Sequence, residues 1–134
     1  VGESMEKRKK VVAVPGAAAP LGPYSQAIKA NGFVFVAGEK GYDPRTNALV
    51  PGGIKAETRQ TLENIRMILD AAGSSFDLAV SSTVHMTNLD EFAEMNEVFA
   101  QYFRVDPPGR TTVEVSRLPG GAHVEITVVA LEGE

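Results

Sequence analysis

The stretch Ala30-Asn31-Gly32-Phe33-Val34-Phe35-Val36-Ala37-Gly38-Glu39-Lys40-Gly41 decides the fold. An Asn-Gly pair between apolar runs is the strongest short hairpin signal, because both residues accept the positive φ of a tight turn whose twist matches its strands. Ala27 to Ala30 and Phe33 to Ala37 therefore read as paired strands. The second of them is apolar at every position from Phe33 to Ala37. A strand with one solvated face alternates apolar and polar residues, so this one is expected to be buried on both faces.

Working outward, Lys10 to Val14 reads as a short first strand. From Ile54 to Ala72 the apolar positions Ile54, Leu62, Ile65, Ile68, Leu69 and Ala72 recur at three and four, and Gly73 supplies a stop, so this is an amphipathic helix. Ala79 to Thr87 alternates, with Val80, Val84 and Met86 on one face and Ser81, Thr83, His85 and Thr87 on the other. Asn88 and Glu91 have the spacing of a capping box ahead of a second helix, whose apolar stripe is Phe92, Met95, Phe99, Tyr102 and Phe103. After the Pro107-Pro108-Gly109 turn, Thr111 to Ser116 and His123 to Leu131 read as the last strands. The order β-ββ-α-β-α-ββ describes an α+β mixed sheet with two helices side by side on one face. The other face is then bare, yet Val129 and Leu131 join the 33–37 strand in making it apolar. Exposed hydrocarbon on that scale calls for a cover, and the expected cover is another copy of the chain.

At 134 residues the chain has the length of one domain. Residues 1–9 read as a flexible tail, with Val1 to Ser4 ahead of Met5 taken as an expression remnant, and 10–134 as a single domain. The absence of cysteine removes disulfides, thiolate nucleophiles and Cys-containing metal motifs. With only His85 and His123 as imidazoles, no metal site is expected. No apolar run approaches the roughly 18 residues of a spanning helix, so a soluble protein is expected. With a formal net charge of -4, no nucleic-acid partner is expected; the basic run Lys7-Arg8-Lys9-Lys10 reads as a solvated terminus.

Four residues stand out. Arg110 follows a rigid turn and projects from a strand start, as a surface ion pair or as an anion-binding fork. Glu125 alternates with Val124, Ile126 and Val128 and so points to the bare face, where it is either a structural pair or an acid-base group. Asn96 lies inside the apolar stripe of the second helix and needs a hydrogen-bond partner, in a brace or a wet cleft. Tyr24 sits on a Gly-Pro-Tyr turn suited to a pocket rim or an interface. His85 and His123 have no carboxylate at a recognisable spacing and read as ordinary surface histidines.

The segments GPYSQA (22–27), TLENIRMILDAAG (61–73), STVHMTNLDEFAEMNEVFAQYF (82–103), PGRTTVEVSRLP (108–119) and VEITVVA (124–130) together resemble the reactive intermediate deaminase (RidA, YjgF) family. The resemblance implies a chorismate-mutase-like α+β fold, a homotrimer with its sheets around a central barrel, and ligand sites between subunits. It also implies cofactor-free hydrolysis of small enamine or imine carboxylates, such as 2-aminoacrylate and 2-iminobutanoate, to 2-keto acids and ammonia. A cytoplasmic location is expected, with a mitochondrial or other organellar one left open. By the same resemblance Arg110 binds the substrate carboxylate, Glu125 activates water, Tyr24 and Asn96 line or support the cleft, Gly38 brings its backbone to the ligand, and Thr112 stands where many members have cysteine.

Three positions depart from the family pattern: Ala37 and Glu39 replace serine and glutamine, and Glu57 replaces glutamine. Either acid would repel an anionic substrate if it faced the cleft, so each is expected to point away or to pair with a base, Arg59 being a candidate. Two alternatives stay open: a ligand-binding or regulatory trimer without turnover, and an RNA-cleaving inhibitor of translation.

Overall fold

The computed structural model describes residues 8–133. The readings placed on Val1 to Ser4, Met5 and Lys7 lie outside the described residues. Strands β1 (Lys10–Val12), β2 (Ala27–Ala30) and β3 (Phe33–Glu39) are followed by helix α1 (Ile54–Ala71), strand β4 (Ala79–Met86), helix α2 (Phe92–Tyr102) and strands β5 (Gly109–Glu114) and β6 (Val124–Leu131). The six strands form one sheet in the order β1-β2-β3-β6-β4-β5. Only β4 and β5 run parallel, and α2 is their crossover. The expected α+β mixed sheet with two helices is what forms.

Local chemistry explains the elements. Asn31 and Gly32 take positive φ at the β2–β3 turn, as the dipeptide predicts. Gly73, at φ 75, ends the first helix one residue after its Ala72 cap. The second helix starts differently from the expected capping box. Asn88 Oδ1 accepts from the backbone N–H of Asp90, a 3-10 turn fills Leu89–Glu91, and α2 proper begins at Phe92.

The core lies between the helices and one sheet face. Val34, Val36, Val84, Met86, Val124, Ile126, Val128 and Ala130 meet Leu62, Ile65, Ile68, Leu69, Met95 and Phe99 there, all buried. On the opposite face Phe35 is 45% exposed and Val11 63%, and Phe33, Val113 and Leu131 are exposed as well. The two-sided apolar strand is thus real, with one side covered by the helices and the other left open. One face assignment is corrected. The β4–β6 register shifts between Ala79 and Ser81, which turns Val80 outward and gives Ser82 the buried position. A bulge adds a residue to one strand, so alternation read through it changes phase.

Candidate active site

Glu125 is set by its neighbours on β6. Val124 and Ile126 are fully buried against the helices, so the period of two sends Glu125 to the open face. Its cross-strand partner on β4 is His85, whose Nδ1 lies 3.2 Å from Glu125 Oε1. On the other flank the β3–β6 register shifts between Val36 and Glu39, bringing Gly38 alongside. A Cβ on Gly38 would stand 2.8 Å from Glu125 Cδ, closer than carbon atoms pack, so the carboxyl group occupies the space glycine leaves free. Lys40, almost fully buried, places Nζ 3.4 Å from Glu125 Oε2 and 3.3 Å from the carbonyl oxygen of Gly38.

The segment carrying Lys40 is anchored by α1. Buried Asn64 donates through Nδ2 to the carbonyls of Lys40 at 3.0 Å and Tyr42 at 2.9 Å. Gly41 packs so tightly on Glu57 that a Cβ would lie 2.9 Å from the Glu57 carbonyl oxygen. Glu57 in turn holds the start of β6: its Oε1 accepts from the His123 backbone N–H at 2.8 Å and its Oε2 meets His123 Nδ1 at 2.5 Å. Two anchors on one helix thus fix the strand ends that present Lys40 and Glu125.

Around Glu125 opens a cavity of about 390 Å³ lined by Leu21, Tyr24, Ala37, Gly38, Lys40, Pro119 and Glu125. The Tyr24 hydroxyl accepts a hydrogen bond from Leu21 N–H at 3.1 Å, which closes the Gly-Pro turn and holds the ring at the rim. Glu39 sits beside the neighbouring crevice with Gln26, Lys40 and Asn64. Burial pushes its carboxyl up to about 7; Lys40 opposes this and the charge of Glu125 adds to it.

Arg110 belongs to a second cleft. It pairs across the parallel ladder with Ser82, a position buried on the helix side, so it lies on the face opposite to Glu125. Its Nη2 donates to Asn96 Oδ1 at 2.6 Å, and its guanidinium carbon stands 4.7 Å from the centroid of the Phe99 ring and 5.5 Å from that of Phe92. Burial lowers its proton affinity from the ordinary arginine value, which still leaves it a cation. The cleft has a volume of about 310 Å³ and is lined by Asn96, Phe99, Ala100, Phe103, Pro107, Pro108 and Arg110. Thr112, two residues along the same face, lines neither cavity, and its buried hydroxyl has no hydrogen-bond partner among the described residues.

One copy of the protein therefore gathers Tyr24, Gly38 and Glu125 in one place and Arg110 and Asn96 in another, with Thr112 in neither. A larger hollow, about 720 Å³ and open, runs along the 116–123 loop and collects none of them. Two sequence readings are corrected. His85 and His123 are not ordinary surface histidines, since each meets a carboxylate from another element. Glu57 does pair with a base, but that base is His123, while Arg59 donates to Gln101. Lys40 and Asn64 escape the sequence reading altogether. Asn64, in the middle of the first helix's buried stripe, carries the same signal as Asn96; Lys40, just past an apolar strand, carries none.

A family model described as Endoribonuclease L-PSP matches residues 15–132. The chain belongs to this family. It is the RidA/YjgF family that the dispersed motifs resemble. A RutC family protein of Pyrococcus horikoshii is 49% identical over 122 residues, covering 91% of this chain and 97% of the relative. A mouse 2-iminobutanoate/2-iminopropanoate deaminase is 38% identical over 125 residues, covering 93% of each. The fold also matches the crystal structure of TdcF from E. coli with bound serine, at a TM-score of 0.86 and 34% identity, covering 91% of this chain and 98% of TdcF.

Proposed function

We propose that the chain is an enamine/imine deaminase that hydrolyses small 2-imino or 2-enamino acids to 2-keto acids and ammonia, and that it works as a homotrimer. The observation that carries this reading is Glu125, a carboxylate held at fixed geometry against a cavity of about 390 Å³ with a phenol at its rim. The mouse deaminase relative supports the activity, and the open apolar face supports association. Because Arg110 and Glu125 lie on opposite faces, the complete site needs the Arg110 cleft of one copy set against the Glu125 cavity of another.

In that arrangement each group has work suited to it. Arg110 is braced by Asn96 and two rings and offers a planar fork to the substrate carboxylate. Glu125 takes a proton from water as the water oxygen bonds to the imine carbon. The C=N electron pair passes to nitrogen, which receives that proton; the carbinolamine hydroxyl then gives up its own proton by way of Glu125 to the nitrogen as its electron pair closes the C=O bond, the C–N bond breaks, and ammonia leaves with the keto acid behind. Placed acid-base assistance of this kind contributes about 10² to 10⁴ in rate.

The test generates the imine from serine or threonine with a dehydratase and follows keto-acid appearance. Acceleration by wild type, and its loss in Arg110→Ala and in Glu125→Ala, is the expected result. Mixing the two inactive variants after mild dissociation should restore part of the activity, since some clefts then carry both groups. No acceleration by wild type, or no restoration on mixing, refutes the active site or its shared character respectively.

A further inference from the structure

Glu125 is not a lone carboxylate. His85 Nδ1 stands on one of its oxygens at 3.2 Å and Lys40 Nζ on the other at 3.4 Å. His85 and Glu125 are directly opposed residues of neighbouring strands, so the ladder itself sets their approach. Lys40 is only 7% exposed, and its backbone is tied to α1 by Asn64. An ionised carboxylate offers about four acceptor sites, and the two contacts use one on each oxygen. The remaining lone pairs are therefore directed, and free for a water in the cavity.

We propose that His85 is a positioning residue for the acid-base step: neutral, it donates Nδ1–H to Glu125 Oε1 and aims the carboxylate; protonated, it becomes a second cation on Glu125 and suppresses proton uptake from water. The inference rests on the deaminase reading of this site. The proton balance is closed without His85 changing state in the cycle. Water's first O–H bond breaks to Glu125 as the C–O bond forms, and that proton passes to the imine nitrogen; the second, on the carbinolamine hydroxyl, follows through Glu125 as the C=O bond forms and ammonia departs. His85 acts through Glu125, by orientation when neutral and by charge when protonated.

The groups facing this pair are Lys40 and Glu39 at the end of β3 and Tyr24 from the turn before β2; Val113, opposite His85 on β5, is uncharged. Glu39 changes charge in the range in which histidines do, so the experiment uses Glu39→Gln as its background. An amino-acid oxidase in excess generates the imine in situ. Keto-acid release is followed between about pH 5.5 and 8.5, with uncatalysed hydrolysis subtracted at each pH.

In the background protein kcat is expected to fall toward acid pH. Adding His85→Gln keeps an N–H donor that cannot gain charge, so the acid limb should flatten while the plateau kcat stays within about threefold. Adding His85→Phe removes the donor, and the plateau kcat should drop about tenfold with KM moving less than about twofold. An acid limb unchanged by His85→Gln, or a plateau unchanged by His85→Phe, overturns the inference. Nitrogen-15 spectra supply a readout without turnover: neutral His85 should be the Nδ1–H tautomer in wild type and lose that preference in Glu125→Ala. An active wild type with an Nε2–H His85 sinks this inference alone. A wild type that speeds no imine hydrolysis sinks the deaminase reading and the acid-base role of His85 with it.

Discussion

The two faces of the sheet carry similar side chains to very different ends. On the helix-covered face Val34, Ile126, Val128 and Ala130 are 0% exposed, and Arg110, on the strand at one end of the sheet, is held by an amide and two aromatic rings. On the open face Phe33, Phe35 and Leu131 remain in contact with solvent, and the ionisable groups Glu125, His85 and Lys40 hold one another. The covered face is complete in one copy of the protein. The open face has its polar groups arranged but its hydrocarbon unsatisfied, and the proposed assembly would cover it.

Substitutions can break this contrast or sharpen it, and the largest effect should come from the packing itself. Ile126→Ala, beside Glu125 but facing the helices, should cost about 2 to 5 kcal/mol in denaturant unfolding. Phe35→Ser should instead act on association, lowering the molar mass seen by light scattering at micromolar concentration. If Phe35→Ser destabilised the protein equally and left its mass unchanged, the faces would not differ as described.

Next in size is Gly38→Ala. Its new methyl group would meet the Glu125 carboxyl carbon at 2.8 Å, so the carboxylate must turn away. A fall in kcat of about 30-fold, or about 2 kcal/mol, is expected with the thermal midpoint nearly unchanged. Its counterpart on the covered face is Asn96→Ala, which removes the brace from Arg110. There KM should rise about tenfold, near 1.4 kcal/mol, with kcat less affected, because the lost hydrogen bond orients the binding group. Steady-state kinetics separate the two; the reverse assignment of kcat and KM would undo the division of labour.

The smallest effect concerns Glu39. Its folded pKa, raised to about 7 from 4.5 by burial above all, means that the folded state holds a proton the unfolded state has released. Stability from this group is therefore full below about pH 4.5 and is lost as pH rises through 7. Glu39→Gln should match wild type near pH 4 and exceed it by about 1 kcal/mol at pH 8, after allowance for partial exposure. Urea unfolding at the two pH values measures the difference, and a larger gain in acid than in base would reverse the assignment.

Much of this was legible in the residues. Asn31-Gly32 announced its hairpin, the three-and-four spacing of Ile65, Ile68 and Leu69 announced a helix, and alternation along Val124 to Ala130 sent Glu125 to the right face. Arg110 and Asn96 stood out by residue type and setting, and the structure puts them in direct contact. Val80 was misplaced because a bulge leaves no mark in a pattern of period two. The partners of His85 and His123 were invisible because Glu125 lies 40 residues from one and Glu57 66 from the other.

The sequence alone determined what depends on neighbours along the backbone: turns, helix periodicity, and which side of its own strand each residue faces. Those follow from backbone sterics and side-chain period. Only the tertiary structure decided which strands lie side by side and in what register, and hence that an imidazole and a buried ammonium close on one carboxylate while the arginine turns to the other face. Register is a collective outcome of packing both elements against a shared core, and no single segment carries it.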